Sequence, residues 1–288
     1  MIILSSCNEP DVPIDIRIKT IKLDSISQII PVSDSIVIPV LYDTLLIDNL
    51  ASISEKKQQF INQILPAILI AKFKIQMDYQ RVDKILKKID LGDSVYHGES
   101  KLIDSLMLKY NANKPDELLI HLKEQPTSLV LAQAAIESGW GQSRFAIEGY
   151  NLFGIVSSRS DQNSLKAGNY HPNGKRIFMK RYDNIYESVD HYLLTIGKNK
   201  AYKKFRAKRF EEASVYQLVN ELNKYSTTGD EYKKMLKQVI IWNDLDKYDK
   251  YNIEDSYIYK KGSICYIFKK LCEGEIPYYI KDYWNERI

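Results

Sequence analysis

The chain has 288 residues, 44% of them hydrophobic and 27% charged, with a formal net charge of +4. That balance suits one or two globular domains with a sizeable core and excludes a wholly disordered chain. Glycine (12) and proline (9) are too sparse for a collagen-like or proline-rich chain, and the charge alone is too mild to point to nucleic acid. No apolar run approaches the ~20 residues of a membrane-spanning helix. Tyrosine is abundant (21), and its flat apolar face with a hydroxyl suits half-wet grooves as well as cores.

In chain order, the first feature is the start, Met1-Ile2-Ile3-Leu4-Ser5-Ser6-Cys7-Asn8. Leu4-Ser5-Ser6-Cys7 resembles a bacterial lipobox, in which a leader is cut before the cysteine and the cysteine is lipidated. Export signals place a basic segment and ~7–15 apolar residues first, whereas six residues precede Cys7. The expectation is a truncated lipoprotein signal. Lipid on Cys7 would be the one link to a membrane, and the cell envelope, periplasmic or outer-membrane-associated, the location. Residues 1–50 otherwise read as an extended lead-in with a short strand, broken by Pro10, Pro13, Pro31 and Pro39.

Residues 51–125 read as a helical extension. Phe60, Ile61, Ile64, Leu65, Ile68, Leu69 and Phe73 recur at three and four, the spacing of an amphipathic helix. Pro66 should kink it, Val82, Ile85, Leu86 and Ile89 continue the stripe, and Gly92 is a plausible stop. Shorter helices follow around 100–110 and 116–123. Within 126–245, a helix begins near Pro126, a favoured first-turn residue, and runs to Gly139. The stretch after Asn151 is polar and mixed, and its Asn173-Gly174 pair is a strong hairpin-turn signal. Helices return over 185–197, 199–206, 212–223 and 230–242. Residues 246–288 form a Tyr- and Lys-rich tail whose role the sequence does not decide.

The three cysteines make no metal set. Cys265 and Cys272 have six residues between them, Cys7 is remote, and His97, His121, His171 and His191 cluster with neither. Zinc sites want four such ligands at short spacings, so neither a metal nor another cofactor is expected. Cys265 and Cys272 read equally well as a disulfide in an oxidising compartment and as two ordinary thiols.

One segment stands out for chemistry: Ala132-Gln133-Ala134-Ala135-Ile136-Glu137-Ser138-Gly139-Trp140-Gly141. Its carboxyl sits in the last turn of an apolar helix, followed at once by small residues and a tryptophan. The negative end of the helix dipole disfavours a carboxylate there, and an apolar wall disfavours it further. Both raise the pKa toward the working range of a general acid. Gly139 and Gly141 allow close approach of a substrate to the backbone. An exposed glutamate that merely ends a helix fits the same residues.

Taken with Ser143-Arg144-Phe145-Ala146 and Glu148-Gly149-Tyr150-Asn151-Leu152-Phe153-Gly154, this segment resembles the N-acetylglucosaminidases of glycoside hydrolase family 73, Bax-type proteins among them. Tyr182-Asp183, Glu187-Ser188-Val189, Tyr192, Ala201-Tyr202, Asn223-Lys224-Tyr225-Ser226 and Gly229-Asp230-Glu231-Tyr232 continue the likeness. Ile38-Pro39-Val40 and the region from Lys57 to Phe73 extend it to about 36–245. The resemblance implies an α+β, mostly α fold: a lysozyme-like helical domain with a small β-hairpin lobe, here behind an N-terminal helical extension. It also implies hydrolysis of β-1,4 bonds after N-acetylglucosamine in peptidoglycan, with Glu137 at the position of the catalytic acid.

Glycoside hydrolysis usually engages two carboxyl groups. Between Asn151 and Tyr182 the only acid is Asp161, Asp183 follows the second candidate strand, and no glutamate occurs there. This departs from members with a hairpin glutamate. Either Asp161 or Asp183 orients a water, or the substrate's own acetamido group assists. Asp183 is equally placed to cap the next helix with Asn184. The expected substrate-binding set is Trp140, Asn151, Phe153, Tyr170, Tyr225 and Tyr232, with His171 beside the turn. Trp140 stacks on sugar or packs behind Glu137. Phe153 and Tyr232 also read as core, and Tyr225 as a buried hydroxyl.

Charge is uneven along the chain: residues 166–209 carry 12 basic and 3 acidic groups. Beside a glucosaminidase-like motif, attraction to an anionic cell wall explains this better than nucleic acid does. The expected partners are thus peptidoglycan glycan strands, met by a monomer. Two alternatives stand beside the hydrolase: a lysozyme-like module that binds glycan without cutting, and a cell-wall amidase. The amidase is disfavoured by the lack of a zinc set or Cys-His nucleophile in the sequence.

Overall fold

A computed structural model describes residues 14–158, 163–170, 174–226 and 228–260, the side chains of Asn169 and Tyr170 excepted. Two compact units emerge. Lys19–Ile253 form the first; the described residues 14–18 and 254–260 belong to the second. In the second, strand β1 (Ile14–Ile16) pairs antiparallel with the last described strand, Ile258–Lys260, Ile14 facing Lys260.

In the larger unit the lead-in holds more order than one short strand. β2 (Lys19–Ile21) lies parallel to β4 (Val40–Tyr42), and β3 (Ile36–Val37) lies parallel to β7 (Asn252–Ile253). Pro31 and Pro39 supply no N–H to a ladder and keep these pairs to two or three residues. Leu23, Ile29, Val40 and Tyr42 form a small buried cluster there.

Helix α1 (Ile53–Asp90) is 38 residues long and starts at a capping box: Ser52 Oγ accepts from the Glu55 N–H at 3.3 Å and Glu55 Oε2 accepts from the Ser52 N–H at 2.7 Å. It runs through Pro66 without ending. Phe60 to Ala71 are buried on every side, so tertiary packing offsets the hydrogen bond that Pro66 cannot make. The extension is therefore a central helix that packs on β4 and on α3 (Pro115–Leu122), α4 (Thr127–Ser138) and α6 (Ile185–Lys198). α2 (His97–Tyr110) and α3 close a second cluster of Val82, Ile85, Ile103, Leu106, Tyr110, Leu118 and Leu122.

After α4 comes α5 (Arg144–Gly149), a helix too short for its apolar spacing to announce, held by Ser143 as N-cap. β5 (Ser164–Tyr170) and β6 (Arg176–Lys180) form the antiparallel hairpin, Ser164 opposite Lys180 and Tyr170 opposite Arg176. Asn173 lies outside the described residues. Then follow α6, a 3-10 turn (Lys200–Tyr202), α7 (Lys203–Phe210), α8 (Val215–Asn220) and α9 (Asp230–Trp242). The spans 199–206 and 212–223 thus shift and shorten, because Asn199 caps a 3-10 turn first and the Ser214–Gln217 capping box starts α8 late. A 3-10 segment, Leu245–Lys250, packs back on α4. The architecture is α+β and mostly α, with one hairpin lobe; among the described residues no helix is long and apolar enough to cross a membrane.

Candidate active site

α4 carries the candidate acid, and both its ends are held by distant chain. Pro126 occupies the N-cap without a capping side chain. Asp249 supplies one instead, accepting from the Ser128 N–H at 2.7 Å and the Ser128 hydroxyl at 2.9 Å. Lys72 Nζ donates to Thr127 Oγ1 at 2.9 Å. At the other end Gly139 is left-handed (φ 58°), and the Trp140 N–H returns to the Ala135 carbonyl at 2.8 Å. Trp140 is itself left-handed at φ 56°. Its ring meets the edge of Phe60 at 5.7 Å between centroids, with Lys57 Nζ 4.9 Å over its face. A β-carbon on Gly141 would lie 2.9 Å from the Phe60 ring and 3.1 Å from Leu45, so only glycine lets this turn seat against α1.

Glu137, one turn after Gln133 on the same face, is half-buried. Burial raises its pKa above the usual carboxylate range, and the Tyr232 hydroxyl beside it partly opposes the rise by favouring the charged form. Gly154, at φ 65°, brings bare backbone to the carboxyl: a β-carbon there would lie 3.2 Å from Glu137 Oε2. Among the described residues no second carboxylate and no cation acts on Glu137 appreciably.

Aromatic rings wall this carboxyl. Phe153 stacks on Tyr192 at 4.1 Å and 11°. Tyr225 stacks on Tyr232 at 5.4 Å and 22°. Tyr192 and Tyr202 meet Tyr225 at 6.3 and 6.4 Å. The Tyr225 hydroxyl donates to the Phe153 carbonyl at 3.5 Å. Burial pushes the hydroxyls of Tyr192, Tyr225 and Tyr232 well above the ordinary tyrosine range, so they stay protonated donors. A lone, half-buried carboxyl with a raised pKa, in a wall of neutral donors, can hold a proton and deliver it.

The structure therefore gathers Glu137, Phe153, Tyr225 and Tyr232, and sends other expected residues elsewhere. Phe153 and Tyr232 are buried core faces of the wall. Asn151 is also buried: its amide donates to the Ile155 and Lys180 carbonyls, both at 2.8 Å, and its carbonyl accepts from the Ile155 N–H at 2.9 Å. It ties the base of the hairpin lobe and has no group left for a glycan. Asp183 is exposed at the start of α6, where Asn184 is the cap and Glu187 accepts from the Asp183 N–H at 3.1 Å. Trp140 packs on Phe60 while staying partly exposed. Asp161, His171, Cys7, Cys265, Cys272 and the Tyr170 side chain lie outside the described residues.

Three contributors were not singled out by sequence: Gln133, Gly154 and Tyr192. A signal for Gln133 was present, since a polar residue four positions before Glu137 on an apolar helix falls on the same face. Gly154 and Tyr192 stood inside the family-like stretches with no spacing to tie them to Glu137.

Residues 119–245 match a family model named Glucosaminidase, described as mannosyl-glycoprotein endo-beta-N-acetylglucosaminidase. The chain is 32% identical over 117 residues to Protein bax of Escherichia coli (strain K12), covering 38% of this chain and 40% of that protein. It is 27% identical over 132 residues to exo-glucosaminidase LytG of Bacillus subtilis (strain 168), covering 43% and 46%. The chain thus spans less than half the length of these curated relatives. Among solved structures, it is similar to the catalytic domain of the autolysin Auto from Listeria monocytogenes (21% identity, TM-score 0.37, 54% of this chain and 89% of that one). It is also similar to a peptidoglycan hydrolase from Sphingomonas sp. A1 (23%, 0.36, 49% and 92%).

Proposed function

We infer that residues 119–245, which match the Glucosaminidase family model, form a domain of that family and that the protein is a peptidoglycan hydrolase acting in the cell envelope. It cleaves the β-1,4 bond after N-acetylglucosamine, with Glu137 as general acid. The observation that carries this reading is the carboxyl of Glu137: half-buried, raised in pKa, flanked by bare backbone at Gly154 and backed by Tyr232. Its proton goes to the glycosidic oxygen as the bond to the leaving sugar breaks. Tyr225 and the partly exposed Trp140 are the aromatic surfaces at hand for sugar rings. With Asp183 exposed and bound into the α6 start, the second role falls better to Asp161 or to the substrate's acetamido group.

That no second carboxylate acts on Glu137 among the described residues favours one other reading, a module that binds glycan without cutting it. Digestion of purified peptidoglycan separates the two. Hydrolysis predicts new reducing-end N-acetylglucosamine, lost in Glu137→Gln with the circular dichroism unchanged. Sacculus binding with no new reducing ends supports the binding module, and release of free peptides from intact glycan supports an amidase. Full muropeptide release by Glu137→Gln refutes the assignment of Glu137.

A further inference from the structure

A buried file of polar side chains runs away from Glu137 into the core. The Gln125 Nε2 donates to the Tyr192 hydroxyl at 2.9 Å, the Tyr192 hydroxyl donates to Gln133 Oε1, and Gln133 Nε2 donates to the Tyr232 hydroxyl at 3.4 Å. The Tyr232 hydroxyl, at the end of this file, lies beside Glu137 and favours its charged form. The four side chains Gln125, Tyr192, Gln133 and Tyr232 are almost fully buried, Gln133 completely so, in a core made mostly of apolar side chains. Burying that many polar groups is unfavourable unless each is paired.

With the Gln125 amide turned to donate, and its own carbonyl oxygen left buried without a partner among the described residues, the pairing has one sense. Tyr192 has a single proton, and it goes to the Gln133 carbonyl, because Gln125 fills a lone pair of the phenol oxygen. The Gln133 amide is thereby turned with its NH2 toward Tyr232. The Tyr232 oxygen then accepts a hydrogen bond from Gln133, which leaves its own proton for the Glu137 carboxyl beside it. Each donor polarises the next, and the file ends on the carboxyl that must shed and regain a proton.

We propose that Gln125, Tyr192 and Gln133 are positioning residues for Glu137, a donor file that holds the Tyr232 proton on the carboxyl and favours the charged state left after proton transfer. The proposal rests on the reading of Glu137 as proton donor. The groups facing Glu137 are Tyr232 on α9, Tyr225 before it and Tyr192 on α6. Those facing Tyr192 are Gln125, Tyr202, Glu137 and the Arg209 guanidinium on α7, which burial pushes down to about 9. None of these facing side chains other than Glu137 is a carboxylate. Gln125 and Arg209 line one small cavity with Lys72 and His121, which places cationic groups behind the first donor of the file.

The test compares wild type, Tyr192→Phe, Gln133→Met and Glu137→Gln on a soluble glycan fragment of alternating N-acetylglucosamine and N-acetylmuramic acid. kcat/KM is followed across pH, with thermal melts alongside. Activity of a general acid falls as it deprotonates, on the alkaline limb. Breaking the file weakens support for the carboxylate, so that limb moves to higher pH in Tyr192→Phe and in Gln133→Met. The ratio of variant to wild-type kcat/KM then climbs across the limb by about threefold or more, as half a pH unit implies. A ratio constant with pH in both folded variants, however low, means plain packing and overturns the proposal while leaving Glu137 intact. An active Glu137→Gln fails the underlying reading instead. If one variant does not fold, the other decides alone.

Discussion

Replacing Gly154 by alanine separates two effects that the structure places on one residue. Its backbone is left-handed at φ 65°, and an added β-carbon would lie 3.2 Å from Glu137 Oε2. The left-handed conformation disfavours any L side chain by about 1–2 kcal/mol, which for a unit of this size lowers Tm by roughly 2–8 °C. The second effect is local. A methyl at that distance is tighter than ordinary contact, so the carboxyl must give by a few tenths of an ångström. Since a misplacement of about 1 Å near the chemistry costs on the order of 10²-fold, kcat should fall roughly three- to tenfold, with KM little changed. The methyl also buries the carboxyl further, which moves the alkaline limb of activity upward. Gly92→Ala is the control: it has φ 75°, yet nothing lies within 4 Å of its added β-carbon. It carries the backbone strain with no carboxyl to meet, so its Tm falls while kcat holds. Thermal melts and initial rates on soluble glycan across pH measure all of this. Wild-type kcat in Gly154→Ala, or an equal loss in Gly92→Ala, would refute the reasoning.

Other perturbations have equally definite outcomes. Glu137→Gln should lose activity by about 10²–10⁴-fold and gain stability at neutral pH. Burial raises the folded pKa above 4.5, so the native state binds the proton more tightly than the unfolded chain, and stability falls as pH rises through that window. Melts on either side of it should show the variant more stable only on the alkaline side. Asp249→Ala removes the cap of α4 and should cost about 1 kcal/mol by denaturant titration; an unchanged midpoint would discount the cap. Asn151→Ala leaves the Ile155 N–H unpaired and takes one bond each from the Ile155 and Lys180 carbonyls, the former keeping the Lys180 N–H at 2.9 Å, and should cost about 1–3 kcal/mol, with faster proteolysis between α5 and α6 as the local readout. The basic stretch 166–209 predicts wall binding that weakens with salt, and salt-independent retention on sacculi would contradict it.

Much of the fold was legible because its helices announce their ends chemically. The span of α9 was read as 230–242, and that of α4 from its glycine stop at Gly139, because an apolar stripe and a glycine stop are local signals. The lead-in was not legible: its strands are two or three residues long and pair with segments up to 246 positions away, as Ile14 does with Lys260, which no local period encodes. Glu137 could be found because its place in the last turn of an apolar helix, followed by Gly139, Trp140 and Gly141, is written in adjacent residues. Asn151 could not be placed, because a polar side chain in a loop reads the same whether it faces a glycan or ties two carbonyls. The donor file was hidden for a related reason: its members come from four separate stretches of chain, and only packing shows them in contact.

The matched segment, 119–245, is shorter than what holds α4, the helix that carries Glu137. The N-terminal end of α4 is capped by Asp249 and braced by Lys72, and the turn after Glu137 rests on Leu45 and Phe60. Tyr150, just past α5, donates to the Asp43 carbonyl at 2.6 Å. Phe60 and Leu45 are buried, and each such side chain contributes about 1.5–3 kcal/mol. With a cap of about 1 kcal/mol, these few contacts alone amount to several kcal/mol, against a total stability of roughly 5–15 kcal/mol for a typical domain. A fragment of residues 119–245 should therefore lose its cooperative melt and its activity together. A longer piece, 19–253, should keep both, because it contains every one of these supports. A fragment 119–245 that melts and cleaves like the full chain would show that the surrounding segments merely decorate the site, and would remove the reason for treating α1 and the 245–250 turn as part of it.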